Sequence, residues 1–328
     1  MLEIRTEPLS SFDWLRVIES EYFDEFLKAG GAAAKFVIGD EAAHEELLSE
    51  IAIMAQRHGL LHARLSAGDT KLHMVQDIFF ALARSLPWAR ILQRYIEDLF
   101  ARHEHPWPRP GEALGTAELA EVFGIAPGIM IRHRDQWLSR DVWDDPLLAR
   151  DFRAGIIAMC LSRLDPGGGT RDGGGAGGDA DTPVHQWMRG ERPALSALRA
   201  FDITTQITRA NARAMLISLC HFLRKAGAPG LLLILDLRPA ARTGRAASDG
   251  IKWTPSAVMD LYEVLRAMID DLEHLPGLFI LGLADQGLIA GDRRRTLDTY
   301  KALEMRIWPD VRPGDQQNPL APLVTVTL

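Results

Sequence analysis

The stretch Gly230-Leu-Leu-Leu-Ile-Leu-Asp236 is an unbroken apolar run that follows a glycine and ends in a carboxylate. A short run of this kind predicts a strand buried on both faces, as the central strands of parallel sheets are. A second fully apolar run, Leu278–Leu283, follows the helical pattern of Pro255–Leu272. Strands separated by helices predict an α/β fold with a mostly parallel sheet and helices on both faces.

The front half of the chain supplies a third strand of this type. Ala34–Gly39 is apolar and ends in a glycine, and a helical pattern begins near Glu45. Leu60–Leu65 and Val324–Leu328 are further strand candidates. The whole chain, 1–328, is therefore predicted to be a single domain, in which 86–164 is a helical insertion and the glycine-rich segment 165–183 a disordered loop.

Composition excludes several classes of protein. The chain has 328 residues and a formal net charge of −7, which argues against a generally basic nucleic-acid coat. Cys160 and Cys220 lie in apolar stretches and form no CxxC pattern, so a thiolate zinc site is not expected. No apolar run approaches the roughly 18 residues of a membrane span, and the start of the chain lacks the blocks of a signal peptide. We expect a soluble cytoplasmic protein.

Three predicted strands end at positions like those of the nucleotide-binding and catalytic motifs of a P-loop NTPase. In chain order they end at Gly39, at Asp236 and in Gly282-Leu-Ala-Asp285. This order fits a phosphate loop, a metal-binding acidic strand and a sensor strand. Each match is weak by itself, because an apolar run that ends in aspartate occurs often by chance.

Four longer segments carry a family resemblance in the same order. They are YFDEFLKAGGAAAKFVIGD, from Tyr22; VHQWMRGERPALSALRAFDI, with Trp187, Gly190 and Glu191; LCHFLRKAGAPGLLLILDL, which ends at Leu237; and GDRRRTLDTYKALEMRI, with Tyr300, Leu303 and Arg306. Together they resemble the P-loop ATP-binding proteins of bacterial BREX-type phage-defence systems. The resemblance implies a P-loop NTPase-like fold of the AAA type, and it implies ATP and Mg²⁺ as the cofactors of active relatives.

The chain departs from that family at both nucleotide motifs. In register from Gly39, His44 takes the place of the second glycine, Glu45 that of the lysine, and Glu46 that of the Ser/Thr. After Asp236, Leu237 takes the place of the glutamate that activates water. The resemblance therefore implies a vestigial site that binds no cofactor or metal. Glu45 and Glu46 also have an ordinary interpretation, as acids that stabilise a helix N-terminus.

The function implied is that of a pseudo-ATPase with no catalytic residues, which acts as a scaffold or regulatory subunit of an anti-phage complex. Its expected partners are other defence subunits, including an active ATPase relative, or a second copy of itself, and no membrane. Two alternatives stay open, an active ATPase with an unorthodox loop and a DNA-binding adaptor that uses Arg293–Arg295. The segment His103-Glu104-His105 is interpreted as a surface loop, and Arg132–Asp135 as a charged helix face.

Overall fold

The computed structural model describes residues 7–165, 182–241, 250–292, 294–308 and 317–328. Of the predicted glycine-rich loop 165–183, residues 166–181 lie outside the described part. Arg293 of the arginine cluster also lies outside it.

The sheet has six parallel strands in the order β1-β6-β2-β5-β4-β3. The strands are β1 (Leu9–Ser10), β2 (Ala33–Ile38), β3 (Leu61–Ser66), β4 (Leu231–Asp236), β5 (Leu278–Ala284) and β6 (Leu323–Thr327). The three strands that carry the nucleotide motifs of the family, β2, β5 and β4, are adjacent in the centre. The predicted α/β fold class with a parallel sheet is therefore confirmed.

Helices connect the strands and also form most of the middle of the chain. They are α1 (Ser11–Ile18), α2 (Glu41–Arg57), α3 (Val75–Ser85), α4 (Trp88–Arg102), α5 (Thr116–Val122), α6 (Pro127–Leu138), α7 (Arg150–Leu164), α8 (Pro183–Arg189), α9 (Leu195–Arg199), α10 (Ala212–Lys225), α11 (Arg238–Ala241), α12 (Pro255–Asp270), α13 (Gly287–Ala290) and α14 (Lys301–Ile307). Two π-helical turns, Glu19–Phe23 and Ser139–Trp143, continue α1 and α6.

The chain forms two compact units. The first contains the described residues up to Leu82 and from Ala228 onward, and it holds the whole sheet. The second, Ala83–Gly227, is helical in its described residues.

The sheet of the first unit is buried on both faces. Every residue of β4 and β5 is buried. On one face, Val37 and Phe279 belong to a core cluster that includes Trp14 of α1 and Leu47 of α2. On the other face, the Phe36 ring lies over Gly282, the residue opposite it on β5, where an added Cβ would come within 2.4 Å of the ring. Burial on both faces explains why these strands read as continuous apolar runs.

The connections that leave the adjacent strands β2 and β5 run in opposite directions across the sheet. The connection from β2 runs past β5 and β4 to β3 at one edge, whereas the later connections return toward β6. In open parallel sheets, ligand sites lie beyond the carboxyl ends of the strands at such a reversal. Gly39, Asp236 and Asp285 all lie at this end of the sheet, so the fold places the predicted motifs together.

Within the described ranges, no helix combines the length and the apolarity that a bilayer crossing needs.

Candidate functional site

The connection between β2 and α2 consists of Gly39 and Asp40 alone. The Asp40 side chain caps the helix, because its Oδ1 accepts a hydrogen bond of 2.8 Å from the backbone N–H of Ala43. The predicted helix start near Glu45 is therefore wrong, and α2 begins four residues earlier, at Glu41. The apolar periodicity did not indicate the true start of the helix, because Ala42 and Ala43 add little to it. The capping residue Asp40 was the sequence signal that marks this start.

This connection is shorter than a phosphate loop. A phosphate loop wraps several consecutive backbone N–H groups around the anion before its helix begins. Here one such N–H, that of Gly39, donates to the Ala284 carbonyl at 3.3 Å, and another, that of Ala43, is bonded to the Asp40 side chain. The backbone donors near the end of β2 are thus partly used within the protein.

Glu45 and Glu46 lie in the second turn of α2 and are exposed. Glu46 accepts a hydrogen bond from the Ser11 hydroxyl of α1. The buried positions on this part of the helix are Ala43 and His44. The ordinary interpretation of the two glutamates as first-turn acids is wrong, because the first-turn acid of α2 is Glu41.

His44 is buried beneath the turn that Gly39 and Asp40 form between β2 and α2. Its Nε2 atom lies 3.4 Å from the position that a Cβ on Gly39 would occupy. Neither ring nitrogen has a hydrogen-bond partner of normal geometry in the described structure. Burial favours the neutral form of this imidazole, because the cost of desolvating its charged form outweighs the opposing effects of nearby groups on its pKa.

The carboxylate at the end of β4 is held by arginines. Arg238 Nε donates to Oδ1 of Asp236 at 2.8 Å, and its Nη2 donates to Oδ2 at 2.7 Å. Arg64 Nη2, from β3, adds a third hydrogen bond at 3.2 Å, and Arg238 Nη1 reaches Glu41 Oε1 at 3.1 Å. Asp236 and Arg238 are both almost fully buried. The result is a bidentate, charge-assisted pair at the place where an active relative would bind Mg²⁺.

The electrostatics of this pair favour an ionised aspartate. Burial alone would raise the pKa of Asp236. The hydrogen bonds and the charge of Arg238, with a further hydrogen bond from Arg64, outweigh burial and hold this pKa below its ordinary value. A cation that approached the carboxylate would have to displace the guanidinium, so the arginine competes directly with a metal for both oxygens.

Two further positions complete this edge of the sheet. Leu237 is buried, and its backbone N–H donates to the Leu283 carbonyl at 2.8 Å. Its side chain can neither accept a proton nor orient a water molecule. Asp285, after β5, accepts a 2.9 Å hydrogen bond from the Gly287 N–H. No group of three or more His, Cys, Asp or Glu side chains in the described parts of the chain is arranged to hold a metal ion.

Sequence reasoning missed the arginines. Arg238, two residues after the acidic strand end, had a readable signal, because Asp-x-Arg at the end of a buried strand allows the side chain to fold back onto the carboxylate. Arg64 and Glu41 had no signal of this kind, because strand order alone brings them to Asp236.

The arginine cluster proposed for DNA is partly structural. Arg295 donates to the backbone carbonyls of Trp253, at 2.9 Å, and Ala240, at 3.3 Å. Arg294 is exposed and pairs with Asp292 at 3.4 Å. These contacts anchor Arg295 in the fold, whereas the Arg294 side chain stays exposed.

The segments that carried the family resemblance are anchored within each unit. Trp187 of α8 is buried and donates from Nε1 to the Thr205 carbonyl at 2.9 Å, and Gly190 ends α8 with a φ of 81°. Tyr300 donates to Glu263 of α12, and Arg306 of α14 forms an ion pair with Asp270 of α12.

Comparison with known proteins gives one match. Residues 176–327 match the model of the family described as BREX system ATP-binding protein BrxC/D. The match covers 152 of the 328 residues, so it is a similarity of the later part of the chain to this family. The matched part includes Asp236 and Leu237, but it does not include β2 or residues 39–46. No curated protein and no solved structure matches the chain.

The burial of His44 makes the stability of this protein depend on pH. Burial lowers the pKa of His44, and the charge of Arg238 lowers it further, against opposing effects of the Val37 backbone and of Asp236 and Glu41. Because the folded pKa is below the unfolded value of about 6.5, the unfolded chain takes up a proton first as pH falls. The contribution of neutral His44 to stability is complete above about pH 6.5 and is lost below it.

We therefore expect His44→Leu to flatten the pH dependence of the unfolding free energy. Urea unfolding between about pH 8 and pH 5.5 should show the wild type losing up to about 1.4 kcal/mol per pH unit relative to the variant below pH 6.5. His274→Leu, at an exposed position, is the control and should leave the wild-type profile unchanged. Parallel profiles for wild type and His44→Leu would contradict this prediction.

Proposed function

We propose that this protein is a pseudo-ATPase, a non-catalytic subunit that scaffolds or regulates a BREX-type phage-defence complex. The observation that carries the proposal is the bidentate Asp236–Arg238 pair, which takes both carboxylate oxygens that a nucleotide-bound metal would need. The family match supplies the context, since it describes BREX system ATP-binding proteins.

Three features support the absence of nucleotide chemistry independently of one another. The β2–α2 connection of two residues cannot form a nest around phosphates. The end of β4 presents an ion pair instead of a free carboxylate. Leu237 supplies no base for water. A single loss could be replaced by a group from elsewhere, but a site without a nest, a metal ligand and a base has no remaining step to perform.

Without nucleotide, the function of the chain rests on its surfaces. A protein of this fold that binds no cofactor still has its parallel sheet and covering helices. It therefore still has the outer surface through which related subunits bind one another. We infer that its partners are other subunits of the defence system, with an active ATPase relative as the first candidate, or a second copy of this chain.

The first test is nucleotide binding by calorimetry. The wild-type protein should give no saturable heat with ATP or ADP in the presence of Mg²⁺. The register of the sequence with a phosphate loop predicts that replacing His44, Glu45 and Glu46 by Gly, Lys and Thr restores some binding. The observed helix start changes that expectation, because a lysine at position 45 would lie on the exposed side of α2. This triple variant should therefore also fail to bind. Saturable, Mg²⁺-dependent binding by the wild type would favour the alternative of an active ATPase with an unorthodox loop.

The second test concerns the partner. When the tagged chain is expressed with the other genes of its defence system, it should co-purify with at least one of their products. Arg238→Leu should reduce this recovery only if it also unfolds the protein, because Arg238 is buried and acts on the fold. Circular dichroism on the same preparations separates the two effects. Purification of the chain alone, in a single copy, from cells that contain the complete system would contradict the scaffold proposal.

A further inference from the structure

In the second unit, α5 and α6 are joined by a tight turn of four residues, 123–126. Gly124 has a φ of 63°, and its N–H donates to the Glu121 carbonyl at 3.1 Å, while the Ile125 N–H donates to the Ala120 carbonyl at 2.9 Å. This pair of hydrogen bonds is the Schellman ending of a helix, for which glycine is preferred. Pro127 then begins α6 at a position where proline is favoured. Two short helices joined by a glycine turn form a helix-turn-helix.

Buried contacts hold the two helices together. Leu119 and Ala120 of α5 and Met130 and Trp137 of α6 are buried. Arg134 of α6 is also buried, and its Nη1 donates to the hydroxyl of Thr116, the first residue of α5, at 3.0 Å. The first helix is thereby fixed against the middle of the second.

A cluster of rings covers the inner side of α6. His103 stacks on Trp137 with ring centroids 4.5 Å apart, and His105 contacts both Trp137 and Phe123. His133 of α6 joins the same cluster. The segment His103–His105, which the sequence analysis interprets as a surface loop, thus packs against the inner side of α6.

The outer side of α6 is exposed over its first turns. Gly128, Ile131, Arg132, Asp135 and Gln136 are exposed and recur at intervals of three and four residues, so they share one face. Gly128, Ile131 and Arg132 lie in the first two turns of α6, the part of the second helix that enters the major groove in helix-turn-helix proteins, and Asp135 and Gln136 continue the same face into the third turn.

The charged groups near this face leave the Arg132 side chain without a partner in the described ranges. Arg132 is exposed and has no ion pair or hydrogen bond from its side chain to any residue in the described ranges. The acids beside it have arginine partners, because Asp135 pairs with Arg134 at 2.8 Å and Glu118 pairs with Arg109, although Arg134 also pairs with Asp165 and Arg109 with Glu112. An unpaired guanidinium on an exposed helix face, next to acids that already have an arginine partner, favours an anionic partner.

Charge is divided unevenly between the two units of the chain. Residues 83–227 contain 19 Arg and Lys against 17 Asp and Glu, whereas the rest of the chain contains 18 against 27. The net charge of −7 therefore arises outside the unit that holds α5 and α6. The argument from net charge against DNA applies to the first unit, and it does not apply to the second.

We propose that α5 and α6 bind duplex DNA, with the outer face of α6 in the major groove. Arg132 contacts a guanine edge or a phosphate, and Gln136, one turn further along, has the amide that reads adenine. Ile131 supplies an apolar contact for a thymine methyl group. This inference is independent of the fate of the nucleotide site, and it places DNA recognition on a surface other than the Arg293–Arg295 cluster.

The test is fluorescence anisotropy with the full-length protein and a labelled pool of 20-bp duplexes of random sequence. Binding should be measurable at about 50 mM salt and should weaken by an order of magnitude or more at about 200 mM. Arg132→Ala should reduce affinity about ten-fold. Arg199→Ala removes an arginine that is likewise exposed in the same unit but lies on α9, and it should leave affinity unchanged.

Selection of bound sequences from the pool gives a second readout. Gln136→Ala should alter the selected sequence preference, an effect that a loss of diffuse attraction would not produce. Thermal unfolding should be unchanged in all three variants, because the substituted side chains are exposed.

Absence of binding at low salt would overturn the proposal. Equal losses for Arg132→Ala and Arg199→Ala would also overturn it, because they would indicate diffuse attraction to the whole unit. Capture of a protein partner that Ile131→Glu releases, without DNA binding by the wild type, would assign this face to a protein and would overturn it as well.

Discussion

The buried ion pair between Asp236 and Arg238 is the interaction on which the carboxyl edge of the sheet depends. Three parallel strands end there, and each brings polar backbone or side-chain groups to a small buried volume. In an ATPase of this architecture, Mg²⁺ and phosphates would neutralise those groups. Here a guanidinium does so permanently, with Glu41 and Arg64 completing the network. The fold thereby keeps the edge satisfied without a ligand.

This substitution explains why the neighbouring positions are free to differ from those of an ATPase. Once the carboxylate has a fixed partner, no loop is needed to hold phosphates, and α2 can begin directly after Gly39 and Asp40. His44 can be buried as a neutral ring, and Leu237 can contribute to the core. The ion pair lies in the first unit, whereas the exposed face of α6 lies in the second unit, where the chain has a small excess of basic residues.

The sequence predicted the central strands well because burial on both faces leaves an uninterrupted apolar run, as in β4 and β5. It also identified the three strand ends that meet. It placed the start of α2 wrongly, because alanines near a helix start carry no periodicity. The partners of Asp236 could not be predicted, because Arg64 and Glu41 reach it only through strand order.

A double-mutant cycle on Asp236 and Arg238, followed by urea unfolding, tests the central role of this pair most directly. Arg238→Leu should cost about 3 kcal/mol, because it leaves a buried carboxylate with only the half-exposed Arg64. Asp236→Leu combined with Arg238→Leu should be markedly less destabilising than the sum of the two single variants. Arg294→Leu, which breaks an exposed pair, should cost no more than about 0.5 kcal/mol. Additive effects of the two single variants would contradict the account. It would also be contradicted if Arg238→Leu kept the full stability of the wild type and gained no more stability from added Mg²⁺ than the wild type does.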